Sequence, residues 1–175
     1  FLDKFSAQMG LNLITPKTSR TINEGMPELS VGRIKSLFDS GEKEIEGAKI
    51  SILGVSFKSN TGDMRNTPAV KIANDLADLG AVVMVFDSLV KDEDFSAFRV
   101  SEICSNIELA LVDSDMVAIL SPHREILEFE LARMKSLTSE KCWLFDGRRA
   151  YSPRDVIESG FMYSAIGGVT YEQAQ

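Results

Sequence analysis

From residue 47 onward, short apolar runs alternate with amphipathic stretches of helical period. "KISILGVSF" (49–57) is a continuous apolar run ending in a loop, the pattern of a strand buried on both faces. In "NTPAVKIANDLADLG", Ala69, Ile72, Ala73, Leu76 and Leu79 form one apolar stripe. Thr67 can cap that helix, Pro68 fits its first turn, and Gly80 stops it. "AVVMVFD" (81–87) predicts the second strand, so residues 49–87 read as one βαβ unit. A helix over 106–114, a strand over 115–120, a helix over 124–138 and a strand over 142–146 follow. In the 124–138 helix Leu127, Leu131 and Met134 share a side. "SPRDVIESG" (152–160) repeats the cap, proline and glycine grammar before a last strand, "FMYSAIG". Alternation at this spacing predicts an α/β fold: a three-layer, Rossmann-like, mostly parallel sheet with helices on both faces.

Residues 1–46 differ. "FLDKFSAQMG" and "EGMPELSVGRIKSLFDSG" read as helices, with Met26, Leu29, Ile34, Leu37 and Phe38 as an apolar stripe. Pro27 should start the second helix or kink a longer one. The stripe must be covered, either by its own domain or by an interface. The division expected is a helical segment over 1–46 and an α/β domain over 47–175, without repeats or low-complexity stretches.

Composition narrows the function. A chain of 175 residues that is 44% hydrophobic can bury one full core. Beginning at Phe1, it reads as a piece of a longer protein. The net charge of −7 argues against nucleic acid, although a small phosphorylated ligand needs only a few local cations. No run approaches the roughly 20 apolar residues of a membrane span. Cys104 and Cys142 have no metal or redox spacing, and one histidine speaks against zinc, so two reduced thiols in a cytoplasmic protein are expected.

Ligands of an open parallel sheet sit beyond the carboxyl ends of its strands. There the chain places Phe57, Lys58, Asp63 and Arg65; Asp87; Ser121, His123 and Arg124; and Asp146, Gly147, Arg148 and Arg149. Lys58 and Arg148 each follow a strand end, and a lysine point charge with an arginine fork suits a diphosphate. The other account is two surface salt bridges. Phe57 can stack on a base or fill the core. Asp87 stands where a Rossmann domain holds a ribose, but the first loop is not G-x-G-x-x-G, which favours a turn-forming role. His123 has no visible partner in sequence. Asp63 can pair with Arg65, and Gly62 reads as turn flexibility.

The segment Gly54, Phe57, Lys58, Thr61, Asp63, Arg65, Thr67, Pro68 and Ala69 resembles the G-x-x-F-K-x-x-T-x-D-x-R-x-S/T-P-A segment of the UDP-glucose/GDP-mannose dehydrogenase family. "FDGRRAY" is similar to its D-G-R segment, and "INEGMPE" to the N-x-x-M-P segment of its central helix. Among its branches the fit is best to the one acting on UDP-N-acetylmannosamine.

The resemblance implies the C-terminal, nucleotide-sugar-binding portion of a dehydrogenase that oxidises a sugar C6 alcohol to a carboxylate with NAD. In such enzymes NAD is bound mainly by an N-terminal domain, and a Gly-Gly-x-Cys segment supplies the nucleophile. Neither that segment nor G-x-G-x-x-G occurs here, so no catalytic residue is assigned and this portion alone is expected to be inactive. Phe57, Lys58 and Arg148 are the implied substrate-binding residues, and Arg65 the one reaching toward the NAD pyrophosphate. Implied partners are a UDP-sugar in preference to GDP-mannose, an N-terminal NAD-binding domain, and a second copy docked through residues 17–40. Arg20 is an interface candidate. A free-standing nucleotide- or phosphate-binding module without catalysis is the alternative.

Overall fold

The computed structural model describes residues 5, 8–10, 13–41, 43–168, 170 and 171. Much of the helix expected over 1–10 lies outside them. A long helix, α1 (Ile14–Asp39), precedes an alternation of β1 (Lys49–Leu53), α2 (Ala69–Asp78), β2 (Val82–Phe86) and β3 (Glu102–Ile103). Next come α3 (Ile107–Leu111), β4 (Met116–Ile119), α4 (Arg124–Glu128), α5 (Leu131–Leu137), β5 (Trp143–Asp146), α6 (Pro153–Glu158) and β6 (Met162–Ala165). The six strands form one sheet in the order β3-β2-β1-β4-β5-β6, and every neighbouring pair is parallel. The chain leaves β1 for β2 on one side and later returns to β4 on the other. The switch between β1 and β4 opens a crevice at their carboxyl ends.

The two-residue period of a strand divides the core. Ile50, Ile52, Val83, Val85, Ala118 and Phe145 face one side, where Ile34, Leu37 and Phe38 of α1 meet Ile72, Ala73 and Leu76 of α2. Leu53, Met84, Phe86, Val117, Ile119 and Leu144 face the other, packed by Leu111, Ile126, Met134 and Val156. Each fully buried aliphatic side chain here contributes about 1.5–3 kcal/mol. Packing of the N-terminal apolar stripe within its own domain therefore holds for the C-terminal part of α1. Its last turns enter the core, whereas Ile14, Ile22 and Leu29 are exposed.

Pro27 lies inside α1 and starts no new helix. Thr67 caps α2 from one position further back than expected. The N-cap position is Pro68, while the Thr67 hydroxyl accepts from the Ala69 amide and donates to the Val55 carbonyl. The helix expected over 124–138 is two helices. The Ile126 carbonyl, which would receive the Glu130 amide in a continuous helix, is taken by the Phe129 amide and the Tyr151 hydroxyl. Leu127 consequently remains exposed while Met134 is buried. β3 was not expected; it is a two-residue edge strand with both side chains exposed.

Candidate functional site

The loop between β1 and α2 begins with a glycine that nothing else could replace. Gly54 has φ of +73°, and a Cβ there would lie 1.9 Å from the Ser121 carbonyl oxygen. The tips of β1 and β4 thus approach as closely as backbone permits. Gly62 has a packing role and not the flexible one expected of it. Its φ is ordinary, and an added Cβ would sit 2.2 Å from the Leu89 carbonyl oxygen.

Between these glycines the loop is internally bonded. The Phe57 amide donates to the Asp63 carbonyl, and the Ser56 and Thr61 hydroxyls both donate to the Lys58 carbonyl. Asp63 accepts two side-chain bonds from Arg65, at 2.8 and 2.7 Å. The Arg65 side chain, chiefly through those bonds, holds the Asp63 carboxyl down at about 2.

Beneath the loop lies a buried polar cluster. Asp87 accepts from the amides of Val55, Ser56 and Leu89 and from His123 Nε2 at 2.8 Å. Burial pushes this carboxyl up, but the bonds from His123, Val55 and Leu89 outweigh it, so it ionises below the usual carboxylate range. Asp87 is therefore a turn-forming residue whose carboxylate serves its own loop through Leu89 and the loop after β1 through Val55 and Ser56. His123 has the acid partner that sequence did not reveal, yet it is no catalytic triad. Ser56 Oγ lies 3.4 Å from the same Nε2 that bonds Asp87, and Nδ1 already accepts the Asn60 amide. A relay needs serine and acid on opposite ring nitrogens.

The third loop follows β5. Asp146 is fully buried and accepts from the Arg148 and Tyr151 amides and the Tyr163 hydroxyl. That turn delivers Arg148 back over the sheet. Its Nε donates to the Leu120 carbonyl at 3.0 Å and its Nη2 to the Phe57 carbonyl at 3.2 Å. One guanidinium thus stitches together the loops after β1, β4 and β5.

These loops and α1 line a cleft of about 1030 Å³, at the upper limit of the usual size of small-molecule sites. All three sequence motifs line it: Asn23, Met26 and Pro27 from α1, Phe57, Thr67 and Pro68 from the first loop, and Gly147 and Arg148 from the third. Phe57 is 51% exposed, so it is a wall of the cleft and no part of the core. Among the described residues the lining holds three cations, Arg20, Lys71 and Arg148, against one carboxylate, Glu24, although the chain as a whole is acidic.

Lys58 adjoins Phe57 in sequence and is exposed, but its side chain is not part of the lining. Among the described residues neither Lys58 nor Arg148 pairs with a carboxylate, which removes the salt-bridge account of both. Arg65, 86% exposed at its side chain, stands outside the cleft next to the lining residue Asn66.

Lys71 was missed by sequence reasoning, because Lys71 with Asp75 reads as an ordinary helical ion pair. Cys104 and Cys142 are buried free thiols. Burial pushes both up, Cys142 to about 12, which leaves them protonated and poor nucleophiles at neutral pH. No group of side chains suited to hold a metal ion occurs among the described residues, and no helix there is long and apolar enough to cross a membrane.

Comparison with known proteins agrees with this geometry. The chain is 33% identical over 124 residues to UDP-glucose 6-dehydrogenase TuaD of Bacillus subtilis, covering 70% of this chain and 27% of that protein. It is 28% identical over 136 residues to UDP-N-acetyl-D-mannosamine dehydrogenase of Methanocaldococcus jannaschii, covering 78% and 29%. An NDP-N-acetyl-D-galactosaminuronic acid dehydrogenase from Methanosarcina mazei superimposes with a TM-score of 0.80 at 25% identity, over 95% of this chain and 36% of that one. The chain thus spans less than a third of the length of these curated relatives. The family model for the UDP binding domain matches residues 51–153, and the chain belongs to the UDP-glucose/GDP-mannose dehydrogenase family.

Proposed function

We propose that this chain is the nucleotide-sugar-holding portion of an NAD-dependent UDP-sugar 6-dehydrogenase. The observation that carries the reading is the meeting of three separate motifs on one cation-lined cleft. Arg148, with part of its N–H fork bound to two carbonyls, turns the remainder toward a diphosphate. Phe57 offers a ring face to the sugar nucleotide. Lys58, on a backbone fixed by two hydroxyl bonds, adds a mobile point charge beside it.

Among the described residues no cradle of the usual dinucleotide kind is formed for NAD. The glycine fingerprint is missing, and the Asp87 carboxylate is occupied by loop amides. NAD would supply hydride acceptance from the C6 carbon, and from this side only Arg65 is proposed to reach toward its pyrophosphate. This portion contributes positioning: fixing the diphosphate places the sugar C6 against groups on an N-terminal NAD-binding domain. We assign residues 1–46 to the helical connection between the portions and 47–175 to the binding domain. The exposed Ile22 and Leu29 of α1 form part of a homodimer contact over 17–40, so Ile22→Asp should lower the sedimentation coefficient of the dimer to that of a monomer.

Titration of the isotopically labelled chain with UDP tests the reading. Weak binding is expected, with amide shifts at Asn23, Phe57, Lys58, Gly147 and Arg148, and weaker binding of GDP. Shifts confined to other surfaces, or dissociation constants of micromolar or below for this portion alone, would contradict the shared-cleft picture.

A further inference from the structure

The loop that carries Phe57 and Lys58 has a fastening that none of the three motifs contains. Asn60 sits at φ of +62° and is held from both its faces. Its amide donates to His123 Nδ1 at 2.8 Å, and its Oδ1 accepts the Arg124 amide at 2.8 Å. An Nδ1 that accepts an N–H must be unprotonated, so the ring proton is on Nε2, where Asp87 Oδ2 receives it at 2.8 Å. The ring is 2% exposed, so water does not compete for either bond. His123 thereby joins the loop after β1 to the tip of β2, and lies three residues beyond Leu120, whose carbonyl holds Arg148.

We propose that His123, as the neutral Nε2–H tautomer, is a positioning residue for the sugar-nucleotide loop, fixing Asn60 so that Phe57 and Lys58 present to the cleft in one arrangement. It touches no ligand. Its effect on binding is preorganisation, which spares the ligand the cost of ordering the loop. For its ligand the inference rests on the functional reading above; for the loop it rests on the two ring bonds alone.

Two substitutions separate those bonds. In His123→Gln the Gln Nε2 can still donate to Asp87, but nothing accepts from Asn60. In His123→Asn the Asn Oδ1 lies where Nδ1 was and can accept from Asn60, but the donor to Asp87 is gone. The measurements are amide exchange of residues 57–62, urea unfolding, and UDP affinity, on the full chain. His123→Gln should accelerate loop exchange about tenfold and weaken UDP about three- to tenfold. His123→Asn should be the less stable variant, yet retain slow loop exchange and more of the affinity. The native ring should give the nitrogen signature of the Nε2–H tautomer.

A merely structural histidine would make loop exchange follow global stability, with His123→Asn the worse of the two; that ranking overturns the proposal. So does a loosened loop in His123→Gln with unchanged UDP affinity, or a native ring protonated on Nδ1. If the native chain takes up no UDP at millimolar concentration, the functional reading fails. The exchange ranking still decides whether His123 holds the loop.

Discussion

Two aspartates secure the loop after β1, one at each end, and they work under opposite conditions. Asp87, with a fully buried side chain, gathers three amides and a histidine at the base. Asp63, partly exposed, grips the highly exposed Arg65 near the far end. The bond lengths are nearly equal, 2.8 Å and 2.7 Å. Geometry therefore does not rank them; solvent does. In water each partner of the Asp63–Arg65 pair has an alternative, and the net gain is small. Beneath the loop no alternative exists, and each orphaned donor bears its full desolvation cost. The base of the loop is built for fixity, and its far end leaves Arg65 available to exchange partners.

The largest effect should come from the base itself. Gly54→Ala forces a Cβ against the Ser121 carbonyl from a left-handed backbone. It should cost more than about 4 kcal/mol in urea unfolding or abolish soluble expression. Asp87→Ala comes next, at about 3–5 kcal/mol, because three amides and the His123 ring lose their acceptor.

The pH dependence sharpens that point. The folded Asp87 carboxyl ionises below its unfolded value of about 3.9, so its contribution is complete above that pH. It is lost as pH falls through the lower folded value. Asp87→Asn should thus be clearly less stable than the native chain at pH 7, and the gap should narrow below pH 4. A gap that widened in acid would reverse the assigned direction. At the small end, Arg65→Ala should leave the melting temperature within about 2 °C of the native chain. A larger loss would mean that the exposed pair fastens the loop after all.

The same contrast explains what could be read from sequence. β1, α2 and β2 were legible because long apolar runs, Pro68 and Gly80 act locally. The three motifs were legible as strings, and Asp63 with Arg65 is separated by one residue. The pairing of Asp87 with His123 was invisible because the two residues are 36 apart in the chain. Gly62 was misread because what excludes its side chain is Leu89, brought there only by the fold. The break after α4 depends on Tyr151, which takes a carbonyl 25 residues earlier. β3 carries no period in two residues, and Lys71 is disguised by its helical neighbour Asp75.

The most direct test of the account compares UDP with uridine on Arg148→Ala. If the guanidinium holds the diphosphate, UDP affinity should fall by about tenfold or more, in line with a charge-assisted bond, while uridine affinity stays nearly unchanged. Equal losses for both ligands would mean that Arg148 serves only to tie the three loops together, and the diphosphate would have to be held elsewhere.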